Sequence, residues 1–578
     1  MSRHPPNVIL LTVDALRADR TSVLGYGRPT TPTLERMAEN ALVCEQAASP
    51  AAFTHICFPS LLTSSRPLSH GGYDNGPAGR PATLFDVFHG AGYETTAFCT
   101  THWVSRFQGY RNIDHEHLLF TLNTLPGLAL ALYRSTLAAW HRGEVDDAVA
   151  VSEAQTIIGK MFEAIELYAQ ERLDRHASDA RDFPSARLVR DGYDFSRVVK
   201  LVRQHRAEFE CDVLAYLHQH LHYVPKAHQW IGHEWRTFRR PATLLRLAFQ
   251  AVFIRIMLKA ALPSTAALRG HRFKTYVDGA DVTTKIIRQI EQWDGQKPFF
   301  IWNHYQDTHV PYCAGYGTSW YRQTPDYLRQ LGYEGVDVAT AVGGKPRTPT
   351  AWQAWSALYD AAIRFTDEQI GRVVAALERR GIAGDTIVAV CGDHGEELGE
   401  HGDISHHFKL YSHNVRIPMI FYRKGMSGQR VTGLTDLLDL APTLTSMAAI
   451  DKAAGWVGAS VDHPDVKRRD HLVLETFHGG NCLFETRPLY MAVRDRQLNF
   501  IWKEFRDPED KLSAEGQELY DVAKDPAEQT NLYRLDHPEV PRFEAALINR
   551  LREIPEITED RIARAFPHHI TARRIAAQ

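Results

Sequence analysis

Long uninterrupted apolar runs are missing from this sequence. The nearest approaches are "LLFTLNTLPGLALALY" (118–133), broken by Pro-Gly, and "TLLRLAFQAVFIRIMLKAAL" (243–262), which carries Arg246, Arg255 and Lys259. Cations inside a bilayer are costly, so neither reads as a membrane span. The polar positions of 243–262 do not share one helical face, which predicts a helix packed on more than one side. The first apolar run, "NVILLTV" (7–13), stops at Asp14, too short for a secretory h-region and with no small-residue cleavage site after it. The expectation is a cytoplasmic protein without a transmembrane segment. Cysteine is sparse: seven in 578 residues, odd in number and without CxxC spacing. That excludes a disulfide framework and a zinc knuckle, and fits a reducing compartment. A dominant charge sign is also lacking, with a net charge of -3 and 23% charged residues, so neither disorder nor nucleic-acid binding is predicted. Repeats and low-complexity tracts are absent.

Histidine, by contrast, is abundant at 29 copies, which favours metal or acid–base chemistry. The chain also exceeds what one hydrophobic core usually supports. Short β-branched apolar runs recur at 7–13, 95–101, 298–305, 386–392 and 418–422, each of the kind that fits a strand covered on both faces. Helical patterns lie between them at 31–42, 82–92, 282–293 and 365–381. This alternation predicts an α/β fold with a mostly parallel central sheet sandwiched by helices. Residues 1–114 and 276–484 would form that domain. The stretch 115–275 reads as a long helical insertion over it, a cap. Residues 485–578 read as a small α+β C-terminal subdomain and tail, with "LYMAVRDRQLNFIWKEF" as a strand pair.

In such sheets ligands bind beyond the carboxyl ends of the strands. Asp14 follows the first buried run, and Asp393-His394 follow "TIVAVCG" (386–392), so both would face that crevice. "SPAAFTHICFPSLLTS" (49–64) places hydroxyl residues before a helix, and "HYQDTHVPY" (304–312) ends another strand with two histidines. Each alone also reads as a helix cap or a structural histidine. All four together, on one predicted sheet edge, point to a site.

These segments, with "LYSHNVRIPMIFY", "DLLDLAPTL" and "ELYDVAKDPAEQTNL", resemble in order the sulfatase family of the alkaline phosphatase superfamily, leaving 115–275 unmatched. Two departures stand out. Sulfatases usually carry Asp-Asp after the first strand, and here Ala15 follows Asp14. Their C-x-P-S-R or S-x-P-S-R begins with the residue oxidised to formylglycine, and anchoring on "SLLTS" puts Thr54 there. Thr54 with Asp14 and Asp393-His394 is similar to the phospho-transferring branch of the superfamily. The resemblance therefore implies a metal-dependent hydrolase of phosphate esters (phosphodiester, phosphomonoester or phosphonate monoester), or a phosphoryl transferase. Thr54 would be its metal-activated nucleophile and form a covalent phosphoenzyme. A sulfate ester hydrolase is the alternative, and an inactive ligand-binding relative comes third.

On this reading Asp14, Thr54, Asp393 and His394 hold a divalent ion, Zn or Mn by the mixed nitrogen and oxygen donors, with Ca or Mg less favoured. His309 and His406 match the family's reaction-centre histidines, as catalytic or substrate-binding groups. Lys409 adds a cation for substrate. His304, His401 and His407 fit less well, and Arg17 and His70 read as supporting groups. Glu396, Glu397 and Glu400 read as the acidic first turn of a helix. The expected partner is a small-molecule or lipid-linked phosphoester or sulfate ester, with a homo-oligomer as a further expectation.

Overall fold

A computed structural model describes residues 5–72, 76–120, 122, 124–182, 194–221, 277–310, 312, 318–333, 335–336, 346–406, 409–477, 489–504 and 516–567. The segment 243–262 and His407 lie outside them.

The centre is an eight-stranded mixed sheet. Its strands are β1 (Asn7–Val13), β2 (Ala41–Ala48), β3 (Glu94–Cys99), β4 (His115–Leu118), β5 (Phe299–Tyr305), β6 (Thr386–Gly392), β9 (Met419–Tyr422) and β10 (Gln429–Asp436). The spatial order is β10-β2-β9-β6-β1-β5-β3-β4. Only β9 runs against its neighbours, β2 and β6, so the sheet is mostly parallel. The short pair β7 (Glu397–Leu398) and β8 (Ile404–Ser405) stands outside it.

All seven residues of β1 are buried because helices cover both faces. Val8 and Leu10 enter one core with Phe58 and Leu61 of α2 (Thr54–Thr63). Ile9, Leu11 and Val13 enter the other, with Ala357 and Phe365 of the long helix Pro349–Arg379. The twofold side-chain period of the strand thus holds the two layers together.

The segment expected as a helix over 31–42 divides into α1 (Pro32–Ala38) and the start of β2. β4 adds a strand within the stretch read as strand-free, and β10 was not expected. Beyond β4 run α4 (Thr124–His141), α5 (Asp147–Asp182), α6 (Phe195–Cys211) and α7 (Val213–His220); α3 (Leu84–Gly90) precedes β3. Among the described residues no helix is long and apolar enough to cross a membrane. A second, antiparallel sheet is formed by β11 (Leu472–Phe477), β12 (Leu489–Arg494), β13 (Leu498–Lys503) and β14 (Gly516–Asp521), followed by the helix Val540–Arg552. The strand pair expected in 485–578 is β12–β13, and β11 joins it from earlier in the chain.

Candidate active site

The register of β1 against β6 and β5 fixes the site. Val13 pairs with Gly392 and with Tyr305, so three strands leave the sheet at one level. Asp14 N then donates to Tyr305 O at 2.8 Å, and Asp393 N to Val13 O at 3.3 Å. Two carboxylates 379 positions apart meet as a result. Ala15 takes a left-handed backbone (φ 52), a conformation costing roughly 1–2 kcal/mol for a residue with a Cβ. The turn brings Ala15 N to Asp393 Oδ1 at 3.0 Å and Ala15 O to the Tyr359 hydroxyl at 2.5 Å. The two glycines of Gly-Asp-His-Gly serve close approach: a Cβ on Gly392 would press on Leu16 O, and one on Gly395 would collide with the His413 carbonyl.

Asp393 Oδ1 accepts from Ala15 N and His394 N, while its buried Oδ2 has no hydrogen-bond partner among the described residues. Asp14 Oδ2 lies 3.2 Å from His304 Nε2, and its buried Oδ1 is likewise without a hydrogen-bond partner. Burial pushes the Asp14 carboxyl up, but His309, His304 and His394 outweigh it and hold the group well below the usual carboxylate range. Burial and the charge of Asp14 push Asp393 the other way, upward, against the pull of His394. Two adjacent buried acids cannot both carry full charge cheaply. Ligand atoms of Asp14, His304 and Asp393 lie within 4.8 Å of one another. Bare carboxylate oxygens beside an imidazole are the donor set that a divalent cation completes.

His304 is the residue that the sequence undervalued. It pairs with Thr12 in the register, and its Nδ1 lies 3.0 Å from the Thr12 hydroxyl, which turns Nε2 toward the acids. The only signal was its position one residue short of the strand end.

Thr54 is the first residue of α2, where the helix dipole presents its positive end. Its Oγ1 lies 3.0 Å from His394 Nε2, and His394 Nδ1 lies 2.8 Å from Gly395 O. With Nδ1–H donating to that carbonyl, Nε2 is free to accept the threonine proton. His394 Nε2 is also 3.5 Å from Asp393 Oδ2, so the expected ligand role remains within reach. The His406 ring centroid stands 4.1 Å from that of His394 and 5.6 Å from that of His309. Phe53, His55 and Trp103 continue this group as a half-buried wall, with His55 stacked on Trp103 at 4.8 Å and Phe53 5.2 Å from His406. Burial pushes His55 and His102 down to about 3, so both rings are neutral.

Lys409 pairs with Glu397, which also accepts from the backbone of His401 and Asp403. The acids after His394 begin no helix. Glu396 is buried 3.4 Å from His406 Nδ1, and burial with the Asp14 charge pushes its carboxyl well up. Glu400 pairs with buried Arg17, which also binds Asp19 and the Glu396 carbonyl. His70 is exposed and sits near Arg80 and Arg550 instead. Cys57-Phe58-Pro59-Ser60 spells the first four positions of C-x-P-S-R, but Cys57 lies one turn inside α2, its thiol against Ser49 and the Ala51 carbonyl.

The family model of the sulfatases ("Sulfatase") matches residues 6–161 and 210–450, more than half of the chain and part of the stretch 115–275. The protein belongs to the sulfatase family. It is 27% identical over 194 residues to the choline-sulfatase of Rhizobium meliloti, covering 33% of this chain and 35% of that protein. It is 24% identical over 277 residues to arylsulfatase K of Gallus gallus, covering 43% of this chain and 50% of that protein. The chain thus spans a third to a half of these relatives. The phosphonate monoester hydrolase of Agrobacterium radiobacter superposes with a TM-score of 0.54 over 95% of both chains at 15% identity, which shows the shared fold alone. These findings correct the expectation of phosphate-ester chemistry: the sequence relatives are sulfatases by name, and the alternative, sulfate ester hydrolysis, fits better. Sulfatases work with a divalent metal ion, and the bare oxygens of Asp14 and Asp393 beside His304 fit one.

Proposed function

We propose that this sulfatase-family protein hydrolyses sulfate monoesters at the carboxyl ends of β1, β5 and β6. The observation that carries the reading is the cluster of Asp14, Asp393 and His304 beside His394, whose Nε2 lies 3.5 Å from Asp393 Oδ2 and 3.0 Å from the Thr54 hydroxyl. Asp14, His304 and Asp393 would hold one divalent cation, Zn or Mn by their donors. Once bound, it supplies positive charge to a sulfate oxygen and to the nucleophile.

Thr54 is the nucleophile in this reading. His394 Nε2 takes the hydroxyl proton as Oγ1 attacks sulfur, and the bond from sulfur to the alcohol oxygen breaks. His309 or His406 gives that oxygen a proton. Water then attacks the sulfur of the threonine sulfate, the bond to Oγ1 breaks, and the products are sulfate and restored Thr54. The aromatic wall of Phe53, His55 and Trp103 favours an alcohol with a flat, apolar face. The helical insertion would select among such alcohols. Five free cysteines among the described residues support a reducing, cytoplasmic setting.

The test is turnover of nitrophenyl sulfate by the purified protein, with Thr54→Ser and Thr54→Ala beside it. Thr54→Ser retains substantial activity and Thr54→Ala loses it, because only the first keeps an attacking oxygen. Peptide mass analysis of a His309 or His406 variant mixed with substrate shows one sulfonate on Thr54. Turnover of nitrophenyl phosphate without any of the sulfate ester overturns the substrate class. Full activity in Thr54→Ala, or an aldehyde at Cys57, overturns the nucleophile.

A further inference from the structure

A second cluster of metal-ligating side chains lies outside the sheet, on the helix pair α6–α7. His205 and Glu208 stand three residues apart on α6 and therefore share one face. α7 begins directly after Asp212, whose side chain caps it by accepting from Ala215 N at 2.9 Å. The tight joint folds α7 back, and its last residue, His220, returns to that face. One ligand atom from each of His205, Glu208 and His220 falls within 4.8 Å of the others. The two imidazole centroids are 5.3 Å apart, and His220 Nε2 is 3.8 Å from Glu208 Oε2.

An ion pair between Glu208 and His220 is the simplest alternative account. Such pairs at a surface contribute little, and this one gives buried His205 no reason to join them. The Tyr216 hydroxyl does give one, lying 3.0 Å from His205 Nδ1. A partner on a ring nitrogen fixes the imidazole, as outer groups do for metal-bound histidines. The exposure is graded as well: His205 is buried, the His220 side chain is 24% exposed and Glu208 42%, which leaves a solvent side for a water ligand.

We infer that His205, Glu208 and His220 form a binding site for a divalent transition-metal ion of the zinc class, separate from the catalytic cluster, that clamps α7 onto α6. Two imidazole nitrogens, one carboxylate oxygen and a water complete a tetrahedral shell. None of these residues takes part in the proposed catalysis, so the inference stands apart from the substrate reading.

The experiment uses the full chain, stripped with a chelator and re-equilibrated with limiting free Zn²⁺. Zinc per chain is counted in wild type, in Glu208→Ala and in Glu208→Ala/His220→Ala. The expected result is one zinc fewer per chain in the double variant, with far-UV circular dichroism and nitrophenyl sulfate turnover unchanged. Tyr216→Phe should keep the ion but weaken its binding roughly 10-fold or more. Equal zinc content in wild type and double variant overturns the site, as does zinc affinity indifferent to Tyr216→Phe together with Glu208→Ala.

Discussion

Asp14 and Asp393, at the ends of β1 and β6, are as deeply buried as Glu475 in β11, yet their surroundings are opposite. Glu475 Oε1 accepts from Leu68 N at 3.1 Å and Arg550 Nη2 at 2.9 Å, and its Oε2 accepts from Arg550 Nε at 2.7 Å. Burial pushes this carboxyl up, but the Arg550 guanidinium outweighs it and holds the group below the ordinary range. Every oxygen is satisfied and the charge is spent on fastening the Val540–Arg552 helix to β11. Asp14 and Asp393 each keep one buried oxygen bare, and their neighbours are imidazoles rather than a guanidinium. A buried charge that serves structure is closed within the chain. One that serves chemistry leaves a coordination place open, at a cost to the fold.

Asp393→Asn should produce the largest effect. The amide keeps the shape and can still accept from Ala15 N, but it loses the ligand charge. Turnover of nitrophenyl sulfate should fall by several orders of magnitude and the tightly held divalent ion should be lost. The thermal midpoint of the metal-free variant should stay at or above that of metal-free wild type, because a like-charge pair has been relieved. A large drop in that midpoint would show that Asp393 is a structural charge like Glu475, and the contrast would collapse.

Arg550→Ala makes the converse cut. It strands Glu475 as a buried unpaired carboxylate, which should cost about 3–5 kcal/mol of stability. Calorimetry should show the loss as a lowered midpoint, while kcat and metal content of the protein still folded at 25 °C remain those of wild type. Loss of metal in this variant would mean that the two regions are not separable.

The difference between these regions also explains what the sequence disclosed. β1 and β6 were readable because a strand buried on both faces must be a continuous apolar run, and the residue after each run then lies at the strand end. β4 ("HEHL") and β10 ("QRVTGLTD") are edge strands, polar enough to read as loops. β2 escaped because "ALVCEQAA" is mostly good helix formers, Val43 and Cys44 excepted, and its place between β9 and β10 makes it a strand. Within the site, Asp14 and Asp393 announced themselves by position. His304 did not, since the direction of its ring depends on the Thr12 register across 292 residues. Glu396 was misread for the same kind of reason: an acid after Gly395 looks like the start of a helix, and only the tertiary fold shows it buried against His406. The Glu475–Arg550 pair, 75 residues apart, carried no sequence signal at all.

Glu475→Gln tests the closed charge through pH and should have the smallest effect. The folded pKa of Glu475 lies below its ordinary value of 4.5, so the unfolded chain binds the proton more readily than the folded one. Its contribution is therefore fully present above that value and is lost as pH falls through it toward the folded pKa. Glutamine carries no titrating charge and turns an amide N–H toward Arg550, so at neutral pH the variant should be less stable by about 1–3 kcal/mol. This is less than for Arg550→Ala, because Arg550 keeps Glu553 at 3.1 Å and no unpaired buried anion is created. The wild type's advantage should then shrink steadily below pH 4.5. Denaturant midpoints of both proteins measured from neutral to acid pH check this, and a gap that stays constant or widens on acidification would show that Glu475 is not held ionised by Arg550.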